Sequence, residues 1–151
     1  MSNDQKPTTF IIFGASGDLT RRKLIPALFN SYCKGRLPEQ FNIVGFARRP
    51  WDDDQLRQIL QEGMQELAPD TYDADAWQPF AQNITYAKGD LQTQDDYVAL
   101  KKDLDDLEQG SGNRLYYMAT SPSFFVPIVK NLGAADMVEQ SKGWRRVVVE
   151  K

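Results

Sequence analysis

The chain has 151 residues, 41% hydrophobic and 26% charged, a length and balance that suit one globular domain with its own core. Its 18 Lys and Arg against 21 Asp and Glu leave a formal charge of −3, which argues against partners such as nucleic acid or an acidic membrane surface. The start MSNDQKPTT lacks the features of a signal peptide, no stretch of about 18 apolar residues could span a bilayer, and the single cysteine, Cys33, excludes an intrachain disulfide. These features predict a cytoplasmic protein, with Cys33 buried and inert in an apolar-periodic stretch.

In chain order, Thr9-Phe10-Ile11-Ile12-Phe13 is a short continuous apolar run of the kind that forms a strand buried on both faces. It leads directly into Gly14-Ala15-Ser16-Gly17. From Asp18 to Tyr32 the spacing of Leu24, Leu28, Phe29 and Tyr32 predicts a helix that Pro26 should break or kink. Phe41 to Ala47 reads as a second strand. Asp52-Asp53-Asp54 then opens a helix striped by Leu56, Ile59, Leu60, Met64 and Leu67. Ala68 to Phe80 reads as an irregular connection with a short helix near Trp77, and Asn83 to Lys88 as a third strand. After Gly89-Asp90 comes a helix with Tyr97, Leu100, Leu104 and Leu107 on its buried face, ended by Gly110 and Gly112. Arg114 to Ala119 makes a fourth strand, Ser121-Pro122 opens a helix carrying Phe125, Ile128, Val129 and Leu132, and Arg145 to Glu150 makes a fifth strand. Strands alternating with helices in this way predict an α/β fold, a doubly wound, Rossmann-like parallel sheet.

The loop Gly14 to Gly17, between a first strand and a first helix, stands where a doubly wound fold docks a dinucleotide pyrophosphate on backbone N–H groups and the helix dipole. Its spacing departs from G-x-G-x-x-G, with Ser16 in the second glycine place and Thr20 in the third, and a plain tight turn is the alternative. Gly17 is expected to be the least replaceable loop residue. Asp18 suits a cap on the first turn better than a phosphate contact. Lys23 either reaches the phosphates or lies on an exposed face. At the end of the second strand, where an acid would hold the ribose of NAD, the chain has Ala47-Arg48-Arg49; two guanidinium groups suit a 2′-phosphate and therefore NADP, against the alternative of a solvated charge pair. Asp90-Leu91 and Met118-Ala119-Thr120 end the third and fourth strands on the same rim, where small or flexible side chains would let the nicotinamide ribose pass, and ordinary turn chemistry accounts for Gly89-Asp90 equally well. Trp51, Trp77 and Trp144 have no readable role. No metal site is expected.

Ile12-Phe13-Gly14-Ala15-Ser16-Gly17-Asp18-Leu19, Arg22-Lys23-Leu24, Pro26-Ala27-Leu28, Val44-Gly45-Phe46-Ala47-Arg48, Tyr116-Tyr117-Met118-Ala119 with Pro122, and Val149-Glu150-Lys151 resemble, in order and spacing, the glucose-6-phosphate dehydrogenase family. The resemblance covers essentially the whole chain. It implies that Gly14 to Leu19 bind the cofactor pyrophosphate, that Arg48 binds the 2′-phosphate, and that Lys151 touches substrate and nicotinamide. It also implies that residues 1–151 form an NADP-binding domain truncated before a second domain, whose histidine acts as general base on glucose 6-phosphate. The full-length parent is then an enzyme of the pentose phosphate pathway and a homo-oligomer, and the present chain, which contains no histidine, is inactive alone. The rival readings are an NADP-responsive redox-sensing module and a different NADP-dependent reductase. A short-chain reductase would need a Tyr-x-x-x-Lys pair after the fourth strand, and none occurs.

Overall fold

The computed structural model describes residues 6–149. Five strands, β1 (Thr8–Phe13), β2 (Phe41–Ala47), β3 (Ile84–Lys88), β4 (Asn113–Met118) and β5 (Arg145–Val149), form one sheet in the order β3-β2-β1-β4-β5. Every pairing is parallel. The helices are α1 (Ile25–Cys33), α2 (Asp53–Leu67), α3 (Ala74–Ala81), α4 (Gln94–Glu108) and α5 (Phe125–Ala134). Alternation along β1 divides the core: Ile12 meets α1, α2 and α3 on one face, whereas Ile11 and Phe13 meet α4 and α5 on the other. Because β1 is covered by both layers, its stretch Phe10–Phe13 is continuously apolar rather than alternating.

Pro26 does not break the first helix. The chain is helical from Asp18, widens to a π-helical turn over Thr20–Leu24, where the Ile25 N–H reaches back to the Thr20 carbonyl, and continues into α1 with Pro26 near its start. Proline has no N–H to give and its ring would strike the carbonyl of residue 22 in a regular helix; the wider turn absorbs both defects. Asp52 caps α2 in a capping box, its carboxylate accepting from the Gln55 N–H at 2.8 Å while the Gln55 side chain accepts from the Asp52 N–H at 2.9 Å. Asp73 starts α3 by accepting from the Asp75 N–H at 3.0 Å.

Three sequence expectations fail on burial. In α4 the inward face runs Tyr97, Leu100, Leu104 and then Glu108, which is 4% exposed, while Leu107 is 39% exposed. Glu108 is drawn inward because Arg114 of β4, itself 2% exposed, needs an anion: its guanidinium donates to Glu108 at 2.9–3.1 Å and to Asp105 at 2.8 Å, and the Thr9 hydroxyl donates to Glu108 at 2.9 Å. Burial by itself lowers the Arg114 pKa, but the hydrogen bonds that its guanidinium donates to Glu108 and Tyr116 outweigh it, and the group stays charged. In α5, Ile128 and Leu132 are buried while Val129 is 50% exposed. Cys33 is exposed at the carboxyl end of α1 rather than buried, and desolvation followed by the Asp73 charge raises its thiol pKa. Among the described residues no helix is long and apolar enough to cross a membrane.

Candidate dinucleotide-binding site

In the strand order β3-β2-β1-β4-β5 the chain turns one way from β1 and the other way from β4, so the loops following these adjacent strands part at the carboxyl edge of the sheet. A cleft of about 420 Å³ opens there, lined by Gly14, Ser16 and Gly17 after β1, Ala47 and Arg48 after β2, Asp90, Leu91 and Gln92 after β3, and Ala119, Thr120, Ser121 and Phe124 after β4. Its walls thus come from the ends of four neighbouring strands.

The glycine loop is locked from below. The Gly14 and Ala15 N–H groups donate to the Phe46 carbonyl at 3.0 and 3.3 Å, and the Gly14 carbonyl accepts from the Gly17 N–H at 3.0 Å and from the Thr20 hydroxyl at 3.1 Å. Thr20 therefore fills the third glycine place without loosening the contact: it is fully buried, and its hydroxyl ties the helix to the loop. Gly14 has φ +91°, and a Cβ there would lie 2.5 Å from the Ala119 carbonyl oxygen. At Gly17 a Cβ would meet the Gly14 carbonyl only at 3.3 Å, with no positive φ. Of the two, Gly14 carries the tighter steric demand within the protein itself, a separate matter from the space that a pyrophosphate would need beside Gly17. With the helix starting at Asp18, the N–H groups of its first turn have no intrahelical acceptor and form the positive end of a dipole beside Gly17. The Ser16 hydroxyl makes no protein hydrogen bond among the described residues.

Arg48 lines the cleft and is exposed, and among the described residues neither it nor Arg49 has a carboxylate within ion-pair distance. Asp90 both lines the cleft and makes a turn, its carboxylate accepting from the Gln92 N–H at 2.8 Å while its own N–H donates to Asp96 at 2.8 Å. The turn reading of Gly89-Asp90 is thus met, and Asp90 also stands on the cleft wall.

The structure brings Gly14, Ser16, Gly17, Arg48, Asp90, Leu91 and Ala119 together and leaves other expected residues off the cleft wall. Ala15 is 2% exposed and belongs to the core, and Leu19 packs against the same cluster. Met118 is 1% exposed beneath the opposite face, because its side chain alternates away from the rim. Asp18 is not a cap: its exposed carboxylate faces Arg21 at 3.8 Å and Arg22 at 3.5 Å. Lys23 and Arg49 are exposed and do not line the cleft. Lys151 and Glu150 lie outside the described residues. Thr120, expected on the rim with Ala119, lines the cleft as well, whereas sequence reasoning missed Gln92, Ser121 and Phe124. The signal for the last two was Ser121-Pro122 directly after a strand, but it points to the cleft only once β4 is known to lie beside β1.

A family model described as the glucose-6-phosphate dehydrogenase NAD-binding domain matches residues 11–151. The chain is 38% identical to glucose-6-phosphate 1-dehydrogenase of Chlamydia pneumoniae over 96% of its own length and 30% of that protein, and 35% identical to that of Bacillus subtilis over 99% and 30%. It therefore spans about 30% of the length of these curated relatives. Among solved structures it superposes with a TM-score of 0.83 and 31% identity on a glucose-6-phosphate dehydrogenase in complex with its substrate glucose-6-phosphate, covering 95% of this chain and 30% of that one. The enzyme from Mycobacterium avium gives a TM-score of 0.82 at the same identity. A doubly wound sheet, a glycine loop locked beneath a helix start, a cleft at the switch point and a match over nearly all its residues agree: this chain belongs to the glucose-6-phosphate dehydrogenase family, as its NAD-binding domain.

Proposed function

We propose that residues 1–151 form one domain that binds NADP in the cleft, as the cofactor-binding part of an enzyme that oxidises glucose 6-phosphate to 6-phosphoglucono-1,5-lactone. The observation that carries the cofactor choice is Arg48, an unpaired guanidinium on the cleft wall at the end of β2, where a dinucleotide fold meets the adenosine ribose. The fit of the pyrophosphate rests on Gly14, whose missing side chain leaves the loop close to the Ala119 carbonyl, and on the open helix start beside Gly17.

In this reading Ser16, Gly17 and the first-turn N–H groups hold the pyrophosphate, Arg48 pairs with the 2′-phosphate with Arg49 adding charge, and Asp90, Leu91 and Gln92 flank the adenosine half. Ala119, Thr120 and Ser121 leave room for the nicotinamide ribose. NADP, when bound, supplies the hydride acceptor. These residues orient it and shield one side from water; the chain has no histidine to take the proton from the sugar hydroxyl. Residues beyond this chain's share of the family length supply that step and the sugar site, and Lys151 touches substrate and nicotinamide.

Calorimetric titration of the chain with NADP and NAD tests the reading. An Arg–phosphate pair contributes about 1.5–3 kcal/mol, so NADP binds about tenfold more tightly or better, and Arg48→Ala removes most of that preference. Equal affinities in the unaltered chain, or an unchanged preference in Arg48→Ala, would refute it.

A further inference from the structure

The turn that presents Arg48 has no regular structure of its own. Residues 48–52 join β2 to α2, and both Arg48 and Arg49 are exposed. A side chain that must meet a phosphate from such a turn pays the entropy of ordering unless the backbone beneath it is already fixed.

One residue of the edge strand β3, Tyr86, fixes it at four points. The Tyr86 hydroxyl lies 2.9 Å from the Ala47 carbonyl and 2.6 Å from the Arg49 carbonyl, so its single proton is shared between the two carbonyls that flank Arg48. The Tyr86 ring packs on Trp51, with centroids 5.8 Å apart. The Tyr86 N–H donates to the Asp53 carboxylate at 2.7 Å, tying the first residue of α2 to the same place. Tyr86 thus holds the turn at Ala47, Arg49, Trp51 and Asp53, and does not itself line the cleft. The Ala47 carbonyl also accepts from the Gly89 N–H at 2.8 Å, which makes the end of β2 the fixed side of the clamp and Arg49 the side that the hydroxyl draws in.

We infer that Tyr86 is a positioning residue for 2′-phosphate recognition: through its hydroxyl it pre-orders the Arg48–Arg49 turn and so sets the preference for a 2′-phosphorylated dinucleotide. The inference rests on the reading of Arg48 given under the proposed function. Nothing in it requires Tyr86 to touch the ligand. Tyr86→Phe keeps the ring on Trp51 and the N–H on Asp53 and removes only the bridge between the carbonyls.

The test is titration of the unaltered chain, Tyr86→Phe, Arg48→Ala and the double variant with NADP and with NAD, beside thermal unfolding of each. Tyr86→Phe is expected to weaken NADP binding about threefold to tenfold, the effect of leaving one side chain and its turn to be ordered on binding, and to leave NAD binding unchanged. In the Arg48→Ala background the same substitution is expected to change little further, since the turn has then lost the guanidinium that pairs with the 2′-phosphate. Equal loss of NADP and NAD affinity, or a variant that no longer unfolds cooperatively, would make Tyr86 a residue the fold needs and would overturn the inference. A Tyr86→Phe variant with full NADP preference, beside an Arg48→Ala variant that has lost it, would overturn the inference and leave the proposed function standing. Equal affinities for NADP and NAD in the unaltered chain would overturn both.

Discussion

Gly14 carries two demands that Gly17 does not. Its φ of +91° lies in the left-handed region, and the Ala119 carbonyl oxygen stands 2.5 Å from where its Cβ would be. Relief would require moving the end of β4, whose Ala119 N–H is bonded to the Phe13 carbonyl at 2.9 Å. Gly14→Ala is therefore expected to destabilise the domain by about 2 kcal/mol or more, whereas Gly17→Ala, at 3.3 Å and without a positive φ, should cost less than about 1 kcal/mol. Urea midpoints of the two variants at equal m values check the ranking. At the cleft, Arg48 and Tyr86 divide a task by the same physical logic, one supplying charge and the other the fixed backbone from which the charge is presented.

The elements owe their positions to polar groups as much as to apolar stripes. Helix α4 shows this best, because its last turn is set by a carboxylate rather than a leucine: Glu108 binds Arg114 and Thr9 beneath the sheet while Leu107 faces out. Removing Glu108 leaves the buried Arg114 with only the partly exposed Asp105 opposite it, so Glu108→Ala is expected to cost about 3 kcal/mol, against less than about 0.5 kcal/mol for the exposed neighbour Asp106→Ala. Chemical denaturation of both variants measures the difference. The π-helical turn before α1 is a second case. Its cause is Pro26, and its effect is to keep one continuous helix whose start stays aimed at the glycine loop while Leu24, Ile25 and Phe29 still reach the core.

At the scale of the whole molecule, the cleft is a product of topology. No single loop makes it; four strand ends do, and they are neighbours because the chain crosses from β3 over the sheet to β4 instead of continuing outward. The same topology bounds what the chain can do. It presents a dinucleotide site on one rim and holds no histidine to serve as the general base, so the 151-residue chain saturated with NADP is expected to form no NADPH from glucose 6-phosphate, where proton transfer alone is worth about 10²- to 10⁴-fold in rate. Absorbance at 340 nm (the ordinary assay wavelength for NADPH, roughly fixed by the nicotinamide and not by this chain) reads the outcome. Turnover by the clean chain would place the catalytic groups within these residues.

The sequence by itself determined the local elements and the chemistry of two loops. Apolar runs of strand length, helical stripes from Leu56 to Met64 and from Tyr97 to Leu104, the glycines after β1 and the arginines after β2 are local signals, and the structure forms those elements within a residue or two of the expected bounds. Tertiary structure decided what depends on neighbours distant in the chain. Glu108 is inside because Arg114 of β4 and Thr9 of β1 meet it there, and neither charged residue is marked as core by its type. Met118 turns from the rim because strand alternation in a sheet covered on both faces sends it into the opposite core. Thr120, Ser121 and Phe124 reach the cleft only because β4 pairs with β1, and Tyr86 grips the Arg48 turn only because β3 pairs with β2. Hydrogen bonds across strands are made between residues that sequence separates by dozens of positions, and periodicity along one chain carries no record of them.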